Sequence, residues 1–174
     1  MLGIDPGTAV TGYGVVEPAL AIDRPGRLVE CGVIRTDPKQ KMWSRLETLY
    51  DGVSELIARH RPSAVAIETV FYGKNARSTL TLGHARGVIL LCIRRAGLGL
   101  VELKPTEVKR FMTGNGHASK AQMQAAVGAR LGLAAPPEPP DVADALAVAL
   151  CAGWRAAPDT PAGASLRRLS ARAR

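Results

Sequence analysis

A chain of 174 residues fits one compact domain with a single sizeable core and is too short for two lobes around a cleft. Lys and Arg outnumber Asp and Glu by 23 to 15, a net charge of +8. This points to a polyanionic partner, nucleic acid ahead of a membrane surface, because no apolar run reaches the roughly 18–20 residues of a spanning helix. 

The first residues already have core-strand patterning, so a soluble cytoplasmic protein without a signal peptide is expected. Residues 1–5 (MLGID), about 11–17 (TGYGVVE) and about 27–36 (RLVECGVIRT) read as an antiparallel meander. Pro6-Gly7 joins the first pair, and a Pro/Gly loop around Asp23 to Gly26 joins the second. From about Lys41 to His60, Trp43, Leu46, Leu49, Tyr50, Val53, Leu56 and Ile57 recur at helical spacing until Arg61-Pro62 ends the pattern. A short apolar strand, Ser63 to Glu68, precedes a helix from about Arg77 to Arg95 that stops at Gly97. A further brief strand near Leu98 to Leu103 completes a βαβ order and implies parallel neighbours. Helices over about Thr106 to Met112 and Ser119 to Leu131 lead to the rigid Pro136-Pro137-Glu138-Pro139-Pro140 stretch, then to a last helix from Asp141 to about Arg155. Residues 1–157 form the expected domain, and 158–174, rich in Ala, Pro and Arg, a mobile basic tail. Cys31, Cys92 and Cys151 are odd in number, far apart and set in apolar stretches, and His60, His84 and His117 share no ligand spacing with them. Buried thiols in a reducing cytosol fit this better than disulfides or zinc.

Four carboxylates stand where a small protein has little structural use for them. Asp5 and Glu68 each end an apolar strand, and the ends of neighbouring strands reach one edge of a sheet. Asp141 and Asp144 are three apart on the first turn of the last helix, where the dipole favours negative charge. That helix is otherwise apolar almost all round, so its carboxylates must be solvated, capped or bound to a cation. Gathered together, four acids repel, and Mg²⁺ or Mn²⁺ relieves this through oxygen ligation. Each has a plainer role: Asp5 in turn chemistry, Asp141 as an N-cap, Asp144 as a first-turn charge. Those roles require separate coincidences, whereas a metal site requires one convergence.

Asp5-Pro6-Gly7 with Thr11-Gly12-Tyr13-Gly14-Val15, then Ala66-Ile67-Glu68-Thr69-Val70-Phe71, Gly83-His84-Ala85-Arg86-Gly87 and Asp141-Val142-Ala143-Asp144-Ala145-Leu146-Ala147 closely resemble the RuvC family of bacterial Holliday junction resolvases. The resemblance runs from Met1 to about Trp154. It implies an α/β, ribonuclease H-like fold with a five-stranded mixed sheet flanked by helices. It also implies a homodimeric endonuclease that makes paired nicks in four-way junction DNA with two Mg²⁺ or Mn²⁺ ions per active site, leaving 5′-phosphate and 3′-hydroxyl ends. By motif match Asp5, Glu68, Asp141 and Asp144 are the catalytic and metal-binding tetrad. A branch-migration helicase complex is the further partner the family implies.

After Glu68, Phe71, Tyr72, Lys74 and Arg77 place two aromatics and two cations beside the expected metal centre. Aromatic faces stack on unpaired bases for about 1–3 kcal/mol each, and the resemblance implies that Phe71 disturbs pairing at the junction. Phe71 as a core plug is the plainer alternative. Ser119 with Gln122 forms a capping-box pattern that starts a helix and aims Lys120 at an anion. The resemblance supports phosphate contacts by Lys109 and Lys120, with Lys120 also stabilising the reacting phosphate. Lys104 and Arg110 read as a solvated face, and Gly114-Asn115-Gly116-His117 as a flexible turn. Gly83 and Gly87, four apart with Leu80, Val88 and Leu91 near them, leave a shallow groove that suits either the protein's own sheet or a symmetric contact between two copies. Three rival functions compete: a nuclease of RNA–DNA hybrids, an actin-like phosphotransferase suggested by Asp5-Pro6-Gly7-Thr8 with Gly12, and a non-catalytic junction binder. The chain lacks the second lobe that the phosphotransferase needs.

Overall fold

The computed structural model describes residues 1–18, 26–69 and 76–156. In chain order the elements are β1 (Leu2–Asp5), β2 (Val10–Glu17), β3 (Arg27–Arg35), α1 (Met42–His60), β4 (Ala64–Glu68), α2 (Ala76–Arg95), β5 (Gly99–Leu103), α3 (Pro105–Thr113), α4 (Lys120–Leu131) and α5 (Pro140–Ala156). The sheet order is β3-β2-β1-β4-β5. Its first three strands are antiparallel neighbours, and β1, β4 and β5 run parallel. The expected meander and crossovers are therefore present in a five-stranded mixed sheet, with each boundary within a few residues of the sequence pattern.

Side-chain alternation divides the core into two layers. Leu2, Ile4, Val15, Val65 and Ile67 face α1 and α2 on one side of the sheet. Val16, Ala66 and Leu103 face α3, α4 and α5 on the other. Helix α5 is apolar nearly all round because it is buried nearly all round, from Val142 to Gly153. It lies flush on the sheet because three strand positions carry no side chain. A Cβ at Gly3 would stand 2.1 Å from the Ala145 carbonyl oxygen, one at Gly12 2.0 Å from that of Asp141, and one at Gly14 2.4 Å from Leu146 Cδ2. Gly3 and Gly14 are register partners, so the strip of bare backbone is continuous across β1 and β2.

Helix α1 buries Leu49, Val53, Leu56 and Ile57, as its spacing predicts. Trp43, counted on the same stripe, is instead 66% exposed. At about 100° per residue it falls roughly a quarter-turn from the stripe's centre, on a flank that does not reach the sheet. The far end of α1 is tied to the meander by Glu30. Its Oε1 accepts from the Tyr13 hydroxyl at 2.8 Å and from Arg59 at 2.7 Å, and His60 Nε2 lies 2.9 Å from Oε2. Burial, then this hydrogen bond, pushes the Tyr13 hydroxyl up to about 12.

On the α5 side, Arg130 stacks over Phe111 at 4.4 Å and donates to its carbonyl at 2.8 Å, while Phe111 meets Trp154 at 5.3 Å between centroids. These contacts join α3, α4 and α5. Cys92 and Cys151 are buried thiols, but Cys31 is only half-buried, because β3 is an edge strand. No described helix is long and apolar enough to cross a membrane. The expected tail, 158–174, lies outside the described residues.

Candidate active site

The acidic edge follows from strand register. Ile4 of β1 pairs with Ile67 of β4 in parallel, so the residues after them, Asp5 and Glu68, end adjacent strands at the same edge. Alternation turns both toward α5, since Leu2, Ile4, Val65 and Ile67 face the opposite layer. Gly12, the partner of Asp5 on β2, admits the backbone of Asp141. The first turn of α5 is thus set down beside Asp5, with Asp141 inside that turn rather than capping it.

Electrostatic coupling follows from this proximity. Burial first, then the charges of Asp144, Glu68 and Asp141, pushes Asp5 up to about 7, against the pull of Lys120. Glu68 is also pushed up to about 7, by burial and then by Asp144, with Lys109 opposing. Asp144 is raised chiefly by burial, with Lys120 the largest opposing influence and Asp141 adding to the rise. The four acids therefore share one electrostatic neighbourhood with the two lysines singled out in the sequence, Lys109 on the Glu68 side and Lys120 on the Asp5 side. Among the described residues no three acidic, His or Cys side chains already stand at metal-holding spacing. The donor chemistry of the four acids is oxygen only, partly buried and mutually repelling, which fits a hard divalent cation.

Several supports were not foreseen from sequence. Arg86 of α2 donates to the Glu68 carbonyl oxygen at 2.6 Å and forms an ion pair with Glu102 of β5, fixing the end of β4 from behind. Thr69 continues the tie, its N–H donating to the Leu103 carbonyl at 2.8 Å. The turn after Asp5 is locked by buried Thr11, whose hydroxyl donates to the Gly7 carbonyl at 2.5 Å and accepts the Gly7 N–H at 3.2 Å. Arg86 and Thr11 both sit inside motifs quoted above, but their contacts lie on other elements and no local pattern signals them.

Lys120 opens α4 as expected. Ser119 and Gln122 exchange bonds of 2.8 and 3.3 Å in a reciprocal capping box. Lys104 and Arg110 are exposed. The Gly114–His117 turn, expected to be flexible, carries local ties: Asn115 N–H to Thr113 Oγ1 at 3.2 Å and His117 N–H to Asn115 Oδ1 at 3.0 Å. Phe71, Tyr72 and Lys74 lie outside the described residues, as does the side chain of Arg77 at the start of α2.

Comparison with known proteins gives a consistent result. The family profile described as "Crossover junction endodeoxyribonuclease RuvC" matches residues 1–152. A protein of that name from Pelotomaculum thermopropionicum is 48% identical over 151 residues, covering 87% of this chain and 90% of its own. Another from Roseiflexus sp. is 48% identical over 150 residues, covering 86% and 88%. Among solved structures, T. thermophilus RuvC in complex with Holliday junction substrate superposes with a TM-score of 0.82 at 35% identity, over 90% of this chain and 93% of that one. The sheet and its flanking helices are accordingly a ribonuclease H-like fold.

Proposed function

This chain belongs to the RuvC family of crossover junction endodeoxyribonucleases. On that premise we propose that it resolves Holliday junctions by paired symmetric nicks, hydrolysing phosphodiesters to 5′-phosphate and 3′-hydroxyl ends in cytoplasmic DNA recombination and repair. The observation that carries this reading is the coupling of Asp5, Glu68 and Asp144 in one half-buried cluster, with Asp141 beside them and Lys109 and Lys120 on either side.

Asp5, Glu68, Asp141 and Asp144 would hold two divalent cations, Mg²⁺ or Mn²⁺, which when bound supply charge neutralisation at the phosphate and an activated water. The protein's own contribution is positional. Strand register aligns Asp5 with Glu68, the glycine strip fixes the two aspartates of α5, and Arg86 keeps the end of β4 from drifting. Lys120 and Lys109 bind the phosphate flanks and favour the charge that builds there during reaction. Phe71 and Tyr72 engage unpaired bases at the branch point, with Lys74 and Arg77 on the backbone beside them.

Two copies are needed to cut a two-fold symmetric substrate symmetrically. Helix α2 supports such a dimer: among the described residues nothing stands within 4 Å of a Cβ at positions 83 and 87, and Leu80 and Leu91 on the same helix are 66% and 51% exposed. The two glycine positions thus face away from the described sheet, as a contact with a second copy requires. Residues 1–157 form the nuclease domain and 158–174 a basic extension, and a branch-migration helicase complex is the further partner.

The test is nicking of a synthetic four-way junction against matched duplex and RNA–DNA hybrid, with Mg²⁺, Mn²⁺ or chelator, for the parent chain and Glu68→Gln. Paired nicks on the junction alone, requiring metal and lost by at least about 100-fold in the variant while binding persists, are expected. Preferential hybrid cleavage would turn the reading into a ribonuclease. Binding without cutting under every metal condition would leave a junction-binding protein.

A further inference from the structure

We propose that the connection between β3 and α1, carrying Arg35, Lys39, Lys41 and Trp43, is a second phosphate-contact surface that takes the backbone of a duplex arm of the substrate. The proposal rests on the junction-nuclease reading and extends it to a surface outside the acidic cluster and its two lysines.

Register places this segment at the acidic edge. Gly12 is paired with Asp5 on one side and with Val33 on the other, and Arg35 pairs with Val10. Strand β3 thus runs two residues past the level of Asp5. Cys31 and Val33 pack into the α5-side core, so alternation puts Arg35 on the sheet face that Asp5 and Glu68 share. The chain is then pinned to the turn following Asp5. The Thr36 N–H donates to the Ala9 carbonyl at 3.1 Å, the Thr36 hydroxyl donates to the Thr8 carbonyl, and Arg45 Nε donates to Thr36 Oγ1 at 3.1 Å.

From that anchor the segment presents positive charge and an aromatic ring. Arg35, Lys39 and Lys41 are exposed. Asp37, the one acid between Arg35 and Arg45, has an oxygen engaged by the Lys39 N–H at 2.8 Å. Trp43 is 66% exposed, and the Lys41 ammonium lies 4.9 Å from its ring centre. An indole in water beside cations suits a nucleic-acid backbone, whose sugars meet the ring while its phosphates meet the lysines.

Two inter-strand steps separate β3 from β1, about 10 Å, or roughly three base pairs of duplex rise. Helix α3 follows β5 at the opposite edge of the sheet. A duplex arm with its reacting phosphate at the acids and Lys120 would then be gripped by Lys109 on the Glu68 flank and by this segment on the β3 flank.

The experiment titrates a labelled four-way junction by fluorescence anisotropy over a range of salt, using the parent chain and the triple variant Arg35→Gln, Lys39→Gln, Lys41→Gln, with thermal melts to verify folding. Each lost phosphate contact should flatten the log K against log salt slope by about 0.9, and affinity near 0.1 M salt should fall about tenfold or more. A Trp154→Phe background leaves Trp43 as the lone indole. Iodide quenching of its emission should be reduced when junction is added. An unchanged salt slope with Trp43 still fully quenchable, in a chain that nicks junctions, would overturn the proposal. A parent chain that neither binds nor nicks junctions would sink the underlying reading and this surface with it, and the same titration tells the two failures apart.

Discussion

In the metal-free protein Asp5 is held near 7, first by burial and then by its acidic neighbours, and Glu68 is held there with it. The folded chain therefore binds these protons more tightly than the unfolded chain, whose carboxylates titrate near their ordinary values. Between about pH 4 and pH 7 the native state carries the extra protons, so stability falls as pH rises through that window. For Asp5 alone the loss is at most about 4 kcal/mol. Asp5→Asn should accordingly melt higher than the parent in chelator at pH 8, on the order of 5–10 °C, and almost level with it at pH 4. Added Mg²⁺ should narrow the gap at pH 8 by raising the parent. Melts of both proteins at the two pH values, with and without metal, check this; a gap that is constant with pH would contradict it.

Helix α5 and the glycines beneath it set how accurately the site is assembled. A methyl at position 12 would stand 2.0 Å from the Asp141 carbonyl oxygen, so Gly12→Ala must lift the first turn of the helix. Displacement of a catalytic turn by about 1 Å costs on the order of 100-fold in rate. We expect Gly12→Ala to lose nicking to about that extent, seen in single-turnover assays, while junction affinity changes much less. These elements were legible in the sequence because their signals are local. Short apolar runs ending in Asp5 and Glu68, Pro-Gly punctuation and the Ser119–Gln122 box each identify an element within a few residues. What local pattern could not supply was tertiary. Nothing near Arg86 says that it holds the Glu68 carbonyl, and Gly12 reads as a motif glycine until a helix is seen against it. Trp43 was misplaced for the opposite reason: a flank position satisfies the spacing rule without reaching the core.

At the scale of the whole molecule, the proposed α2 contact would bring two active sites to one junction. The open glycine positions of α2 and exposed Leu80 and Leu91 form a surface that a second copy would cover. Leu91→Glu combined with Gly87→Glu puts like charges opposite each other across a two-fold axis. Light scattering should then report a monomer for the variant and a dimer for the parent. On a cruciform plasmid, nicked circles should replace linear product by at least about tenfold, since two cuts in one encounter require two tethered sites. A variant that remains dimeric and still linearises the plasmid would remove α2 from the interface.

The cluster draws Asp5 from the first strand and Asp141 and Asp144 from the last helix, with most of the domain's chain between them. During synthesis, β1 and β4 leave the ribosome well before α5, and an emerging chain carries Asp5 and Glu68 with nothing opposite them. Docking of α5 onto its bare glycine track is a late, long-range event. On the proposed assignment of Asp141 and Asp144, a ribosome stalled short of residue 140 would hold a fragment unable to cut DNA, and cutting would begin only once the domain is essentially finished.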